Sequence, residues 1–152
     1  MIHMEAIFRI SQSCAVLHEN ESSTFSGVLS EMRGVLRADN YSQIPQLTSS
    51  EPVDTSEAFF LLPPHCKGTK RAVLIGINYT GQEGELSGCQ NDCLNMKDYI
   101  MNNCGVDEEN IVVLMDDGNH QEPTRENILN AYKTVAAQSS SGDAVFCHYS
   151  GT

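Results

Sequence analysis

Three apolar stretches of strand length in the second half of the chain constrain its fold more than any other feature. Arg71–Ile77 (RAVLIGI) is almost continuously apolar, and Ile111–Met115 (IVVLM) and Ala144–Tyr149 (AVFCHY) follow it. Such runs are typical of strands buried on both faces of a parallel sheet, because neither face alternates with polar residues. We therefore predict three buried strands.

Two helical patterns separate the three strands. The first places four side chains on one face of a helix: Cys89, Cys93, Met96 and Ile100. The second does the same with five: Ile128, Leu129, Tyr132, Val135 and Ala136. The order strand–helix–strand–helix–strand implies right-handed crossovers, so we predict an α/β fold with a mostly parallel sheet flanked by helices.

Short signals mark the ends of these helices. Ser87 followed by Gln90 resembles a capping box at the start of the first helix. Gly105 stands where a left-handed residue would end that helix. Thr124 is the expected N-cap of the second helix.

The first half of the chain gives weaker signals. Helical hints occur around Ile2 and again around Val28, and the following stretch to Cys66 is rich in Ser, Thr and Pro. Its prolines should break regular elements and leave it partly extended. We predict a poorly structured N-terminal segment of unknown role at 1–40, a Pro- and Ser-rich lead-in at 41–69, and the α/β domain at 70–152.

Charge and cysteine content exclude several classes of partner and site. A formal net charge of −11 repels nucleic acid and anionic membranes, so we expect neither as a partner. The acidic surface is either simply solvated or suited to basic peptides. The N-terminus lacks the apolar run of a secretory signal, and no stretch approaches a membrane span. The six cysteines form no zinc-site spacing, so we interpret them as reduced thiols of a cytoplasmic protein.

Candidate functional residues follow the strands, because open α/β sheets bind ligands beyond the carboxyl ends of their strands. The loop Asn78–Gly84 contains glycines but no nucleotide-binding motif. Asp116 and Asp117 could hold a metal or form a solvated turn. His148 is either a site residue or a buried, hydrogen-bonded structural histidine. Cys147 should point to the opposite face of its strand, so it cannot form a dyad with His148.

Several segments of the second half resemble metacaspases, the caspase relatives of plants, fungi and protists. Lys70–Tyr79 (KRAVLIGINY) is similar to their opening strand, and Gly84–Asp92 (GELSGCQND) to their G-x-L-x-G-C-x-N-D segment. Four further segments agree in order: Asp116–Asp117, Pro123–Asn127, Gly142–Asp143 and Phe146–Gly151. The resemblance is to type I–like members and covers roughly residues 70 to 151, whereas the first forty residues give no support for it.

The resemblance implies an incomplete caspase–hemoglobinase fold, for which this chain supplies the first three strands. It also implies a family of cysteine-type endopeptidases that cleave peptides and proteins after Arg or Lys and that are associated with programmed cell death. In the family, a histidine assists the attack of a cysteine thiolate and protonates the leaving amine.

The resemblance further predicts that this chain lacks both catalytic residues. His148–Gly151 (HYSG) matches the first four positions of the family motif H-Y-S-G-H-G, in which the second histidine is catalytic. That position falls on Thr152, whose hydroxyl cannot act as a base near neutral pH. The nucleophile's D-x-C-H-S-G motif is not found, and neither are the family's calcium-binding acids. We therefore expect an inactive fragment without a cofactor, calcium being expected only for the full-length family member.

Part of the substrate pocket carries over residue by residue. Asp92 matches a family aspartate that receives the basic side chain before the scissile bond, where a carboxylate can bind Arg through charge-assisted hydrogen bonds. Cys89 and Ser150 match other residues that line this region. From the residues alone, Asp92 could be only a first-turn acid favoured by the helix dipole, and Cys89 only a core residue.

Three interpretations of the chain stay open. It is a fragment of a metacaspase, or a catalytically inactive caspase-like module that binds or regulates partners, or a receiver-like domain with an acidic pocket. The last explains Asp116 and Asp117 but neither GELSGCQND nor HYSG. An unpaired edge at the third strand would expose apolar surface. We therefore expect aggregation, or association with a complementary or full-length caspase-like chain.

Overall fold

The computed structural model describes residues 2–5, 24–38, 40, 44–49 and 52–151. The chain divides into two compact units, Met1–Phe59 and Phe60–Thr152. In the described part of the chain, no helix combines the length and the apolarity needed to cross a bilayer.

The first unit contains two short strands and one helix. Strand β1 (Ile2–Glu5) pairs antiparallel with β2 (Gln46–Ser49), and helix α1 spans Phe25–Ala38. The helical prediction around Val28 is confirmed, since this residue is fully buried on one face of α1. The helical prediction at Ile2 is wrong, because residues 2–5 form the β1 ladder with β2; residues 6–10 lie outside the described residues.

The proline-rich stretch is partly extended, as predicted, but it also carries a strand. Pro45 and Pro52 flank β2 instead of excluding it, which is compatible with the missing N–H of proline at strand ends. Further along, the rings of Phe59 and Phe25 meet edge to face, with centroids 5.3 Å apart and an interplanar angle of 84°.

The second unit is built on a parallel sheet of three strands. These are β3 (Lys70–Gly76), β4 (Ile111–Met115) and β5 (Ala144–Ser150), in the order β4-β3-β5. Helix α2 (Cys89–Cys104) and helix α3 (Arg125–Gln138) connect them, with a 3-10 turn at Glu108–Asn110 before β4. The predicted strands, helices and α/β class are confirmed, the strand bounds to within one residue.

The two helices cover opposite faces of this sheet. Leu74 pairs with His148 and Gly76 with Ser150, so these side-chain positions share one face, which α2 covers; we call it the α2 face. The other face, the α3 face, holds a buried cluster with the side chains of α3: Val73, Ile75, Leu114, Ala131 and Val135. Beta-branched and leucine side chains fill this interface, as in other helix-on-sheet layers.

Gly76 allows α2 to approach the end of β3 closely. A Cβ at this position would lie 2.7 Å from the carbonyl oxygen of Cys89 and 2.8 Å from the Cβ of Cys93. Both distances are shorter than van der Waals contact, so any larger residue would push the helix away from the strand. The glycine thus fixes the height of the first turn of α2 above the sheet.

Asp143 ties the amino ends of β3 and β5 together. Its carboxylate accepts hydrogen bonds from Arg71 Nη1 and from the backbone N–H of Thr69, both at 2.7 Å. A hydrogen bond from the backbone N–H of Ser140, together with these two bonds, holds the pKa of Asp143 below its usual value. This anchor lies at the opposite end of the strands from the candidate site.

Two burial predictions are wrong for one reason. Leu129 and Tyr132 of α3 are 39% and 37% exposed, and Val145 and Tyr149 of β5 are each 45% exposed. Helix α3 packs over β3 and β4 through Ile128, Ala131 and Val135, and it leaves the odd-numbered side chains of β5 uncovered. The predicted five-residue face of α3 is therefore only partly buried, and β5 is buried on one face only.

Candidate functional site

The candidate residues gather at the carboxyl ends of the three strands, as predicted. Here the N–H of Ile77 donates to the carbonyl of Ser150 at 2.9 Å, which continues the pairing of β3 with β5. The loops Asn78–Gly88 and Asp116–Thr124 leave the sheet at the same edge. Helix α2 starts above this edge and brings Cys89 and Asp92 with it.

Asp92 and Ser150 meet between α2 and β5. The Ser150 hydroxyl donates to Asp92 Oδ2 at 3.4 Å, and the two residues are only 4% and 7% exposed. A distance of 3.4 Å is long for a hydroxyl–carboxylate hydrogen bond, so this contact is weak. Asp92 does lie in the first turn of α2, as the helix-dipole interpretation requires, and its carboxylate is buried as well.

Cys89 lies one helical turn before Asp92, at the rim of the same region. It is partly exposed, and its backbone N–H donates to Asn78 Oδ1 at 3.0 Å. Cys93 is the core residue on this helix: it is fully buried, and burial raises the pKa of its thiol to about 12, with a further contribution from the nearby charge of Asp117. Cys89 is therefore partly exposed at the start of α2, whereas Cys93 packs in the interior.

The first turn of α2 is not capped in the way the sequence predicts. Its N-cap is Gly88, with φ 107°, and glycine has no side chain that could accept a hydrogen bond from the helix. Asn78 takes that role from the preceding loop, and the Gln90 amide donates to Asp116 Oδ1 at 2.9 Å instead of closing a capping box. At the other end, Gly105 adopts the predicted left-handed conformation, with φ 65°.

Asp116 is a residue whose role sequence reasoning missed. Its carboxylate accepts from the backbone N–H of Asn78 at 2.9 Å, from that of Thr80 at 3.3 Å, and from Gln90. Burial raises the pKa of this carboxyl, but these hydrogen bonds outweigh burial and hold the pKa below its usual value. Asp116 therefore binds the loop that follows β3 and is more than a simple solvated turn.

Asp117 makes its hydrogen bonds within its own turn. It accepts from the backbone N–H groups of Asn119 and His120 at 3.0 and 2.9 Å, and its Oδ2 lies 2.8 Å from Nδ1 of His120. Over the residues that the structure describes, no group of three or more His, Cys, Asp or Glu side chains is arranged to hold a metal ion.

His148 is buried on the α2 face and is 8% exposed. Cys147 is exposed on the opposite face, so the prediction that the two residues do not form a dyad is confirmed. The expected burial of His148 is confirmed, whereas among the described residues its Nε2 has no hydrogen-bond partner. Burial lowers the pKa of His148 to about 4. The prediction for Thr152 lies outside the described residues.

The chain is similar to known proteins along most of its length. The sequence profile described as "Metacaspase, peptidase C14 domain" matches residues 70–152, which is more than half of the chain. The chain is 50% identical to Metacaspase III c of Phaeodactylum tricornutum over 137 residues, which are 88% of this chain and 41% of that protein. It is 40% identical to Metacaspase-1A of Neurospora crassa over 111 residues, 72% of this chain and 24% of that protein.

These matches correct one expectation and show what share of its relatives' length the chain covers. An alignment over 88% of the chain leaves too few unmatched residues to exclude the first forty, so the similarity to the Phaeodactylum tricornutum protein does extend into them. The chain spans less than half the length of either relative. With the G-x-L-x-G-C-x-N-D and HYSG segments at one sheet edge and the profile match over 70–152, the chain belongs to the metacaspase peptidase C14 family.

Proposed function

We propose that this chain supplies the part of a metacaspase peptidase that selects an Arg or Lys side chain before the scissile bond. The observation that carries the proposal is the buried carboxylate of Asp92 beside the Ser150 hydroxyl at the carboxyl edge of the sheet. Asp92 would act as the counter-ion of the basic side chain, Ser150 as a second polar contact, and Cys89 as part of the rim.

A cationic side chain suits this environment physically. A carboxylate removed from water is stabilised by a paired cation, and a guanidinium can offer two parallel N–H donors to its two oxygens. A basic ligand also meets an overall charge of −11, which favours its approach and disfavours acidic side chains.

The wider properties of the family belong to the same proposal. For the whole protein we propose peptide hydrolysis by a Cys–His dyad, calcium dependence, a cytoplasmic location and a role in programmed cell death. None of these requires a catalytic role for His148, whose ring is buried on the face opposite to Cys147.

Binding of a small basic probe tests the pocket. We would titrate the protein with acetyl-arginine amide and with its uncharged analogue acetyl-norleucine amide, and follow the backbone amide resonances of α2. Asp92→Asn should weaken binding of the arginine probe by about tenfold or more, since it removes the charged acceptor. The matched control is Asp98→Asn, on the exposed side of the same helix, which should change affinity by less than about twofold. Equal effects of the two variants would contradict the proposal.

Turnover provides a separate test. We expect the pure chain to leave Arg- and Lys-ended peptide substrates uncleaved, because the position of the family's catalytic histidine falls on Thr152 and the chain contains no D-x-C-H-S-G motif. Hydrolysis that Cys89→Ala abolishes would contradict this expectation and would make Cys89 a nucleophile.

A second candidate function is a caspase-like module that binds a partner without catalysis. The uncovered side chains on the α3 face favour it: Leu129, Tyr132, Val145 and Tyr149. We propose a complementary or full-length caspase-like chain as the partner. Sedimentation of the chain alone and mixed with such a chain tests this; a monodisperse, reversibly unfolding monomer that ignores the second chain would contradict it.

A further inference from the structure

We propose that Asp116 is a positioning residue of the basic-residue pocket: its carboxylate holds the loop after β3 and the first turn of α2 where Cys89 and Asp92 must stand. The inference rests on the proposed function, since it concerns the geometry of that pocket. Asp116 itself follows β4 and contacts neither Asp92 nor Ser150 through any hydrogen bond described above. It acts through the elements that carry them.

The first step is the tie between two loops. Asp116 is the first residue after β4, yet its acceptors reach the segment after β3: Oδ1 takes the N–H of Asn78 at 2.9 Å, and Oδ2 takes that of Thr80 at 3.3 Å. Several N–H donors converging on one carboxylate make charge-assisted bonds, which are stronger than neutral ones. The loop is therefore fixed relative to β4 as well as to its own strand.

The second step runs from this loop to the helix. The side-chain oxygen of Asn78 accepts the N–H of Cys89 at 3.0 Å, and the backbone carbonyl of Asn78 accepts the N–H of Leu86 at 2.7 Å. The Gln90 amide donates directly to Asp116 Oδ1 at 2.9 Å. The first turn of α2 is thus connected to Asp116 by hydrogen bonds in two ways, through Asn78 and through Gln90. The N-cap of α2 is a glycine without a side chain, and Asn78 provides a side-chain acceptor for the first helical N–H group.

The third step concerns the backbone between the two anchored N–H groups. Tyr79 has φ 56°, a left-handed conformation that non-glycine residues adopt at a cost. It lies between Asn78 and Thr80, both of which donate to Asp116. The carboxylate therefore stabilises a backbone bend that the residue would not prefer by itself.

Asp117 is the natural comparison for Asp116. The two aspartates are adjacent and carry the same charge, but among the described residues Asp117 accepts from its own turn, at Asn119 and His120. A general loss of charge or of loop stability after β4 should therefore be reproduced by changing Asp117. A loss of pocket geometry should not.

The experiment compares Asp116→Asn with Asp117→Asn, both isosteric and both removing one negative charge. Hydrogen exchange of the Cys89 amide and affinity for acetyl-arginine amide are measured on each, together with global unfolding by urea. The variants are compared under conditions in which their global stabilities are equal. We expect Asp116→Asn to speed hydrogen exchange of the Cys89 amide about tenfold and to weaken binding of acetyl-arginine amide about tenfold. Asp117→Asn should change each quantity by less than about twofold. Gln90→Ala removes one donor while keeping the carboxylate, so a smaller change in the same direction is expected.

The outcomes separate this inference from the proposed function. If Asp92→Asn weakens the probe but Asp116→Asn behaves like Asp117→Asn, the pocket stands and the positioning role of Asp116 is overturned. If the probe binds independently of Asp92, the proposed function falls, and exchange at Cys89 still decides whether Asp116 positions α2. Unchanged exchange at Cys89 in Asp116→Asn and in Gln90→Ala overturns the inference in either case.

Discussion

The two faces of the three-stranded sheet differ in how far their helices reach. On the α2 face, α2 lies against all three strands, and His148 and Ser150 of β5 are 8% and 7% exposed. On the α3 face, α3 covers β3 and β4, and Val145 of β5 remains 45% exposed. The same strand is thus buried on one side and open on the other.

This difference teaches that burial of an apolar strand residue depends on the layer above it and not on its own chemistry. It also explains the location of the candidate pocket. Asp92 is buried because α2 extends across to β5, where Ser150 meets it. A polar pair can be excluded from water only on the covered face, and only there does a buried carboxylate gain from a cationic ligand.

The largest effect should come from separating α2 from its face. Gly76→Ala places a methyl group against the Cys89 carbonyl and the Cys93 side chain, so we expect a loss of about 3 kcal/mol in the free energy of unfolding. Urea denaturation measures it. Gly34→Ala is the matched control: this α1 glycine has nothing within 4 Å of an added Cβ, and alanine there should gain up to about 1 kcal/mol. Equal changes in the free energy of unfolding for Gly76→Ala and Gly34→Ala would contradict the close packing of α2 on its face of the sheet.

A second effect depends on pH and on the burial of His148. Burial lowers its pKa to about 4 from a model-peptide value of 6.5, so the folded state binds this proton less readily than the unfolded state. The contribution of the neutral imidazole to the free energy of unfolding is fully present above pH 6.5 and is lost as the pH falls toward 4. Between pH 7.5 and pH 5, the wild type should lose about 2 kcal/mol more than His148→Gln.

Parallel denaturation curves at several pH values measure this difference. Because His148→Gln removes the group itself, carboxylates that titrate in the same range cancel in the comparison. If both proteins lose stability equally on acidification, the imidazole is not shielded from water, and the α2 face is less closed over β5 than described.

The smallest effect distinguishes covered from uncovered positions on the α3 face. Val73→Thr introduces a hydroxyl at a fully buried site and should cost about 1.5 kcal/mol. Val145→Thr makes the same change on the α3 face of the sheet, but on β5, where the side chain is 45% exposed. The free energy of unfolding should then change by less than about 0.5 kcal/mol. A large loss at Val145, measured by urea denaturation, would indicate that this position is covered in solution.

The sequence predicts the second unit well where one local signal decides the outcome. Apolar runs gave β3, β4 and β5, helical spacing gave α2 and α3, and Thr124 caps α3 as expected, with its Oγ accepting the N–H of Asn127 at 3.2 Å. These features depend on neighbours a few residues apart, so periodicity and capping chemistry are enough to find them.

Features that depend on distant contacts were missed. The α2 cap comes from Asn78, eleven residues before Cys89, and the anchor of that loop comes from Asp116, across the sheet. A capping box at Ser87 and a solvated turn at Asp116 were reasonable local readings. Tertiary hydrogen bonds overrode both, and the only sequence signal for them was the presence of polar residues at strand ends. Burial on β5 was missed for the same reason, since it depends on the reach of a helix.

One measurement tests the central claim most directly: the side-chain carboxyl resonance of Asp92, followed by carbon-detected NMR during titration with acetyl-arginine amide. We predict a saturable shift of this resonance that acetyl-norleucine amide does not produce, with smaller shifts at Ser150 and Cys89. A saturable arginine-dependent shift centred on Asp116 or Asp117, with Asp92 unmoved, would contradict the claim that the buried carboxylate between α2 and β5 selects the basic side chain.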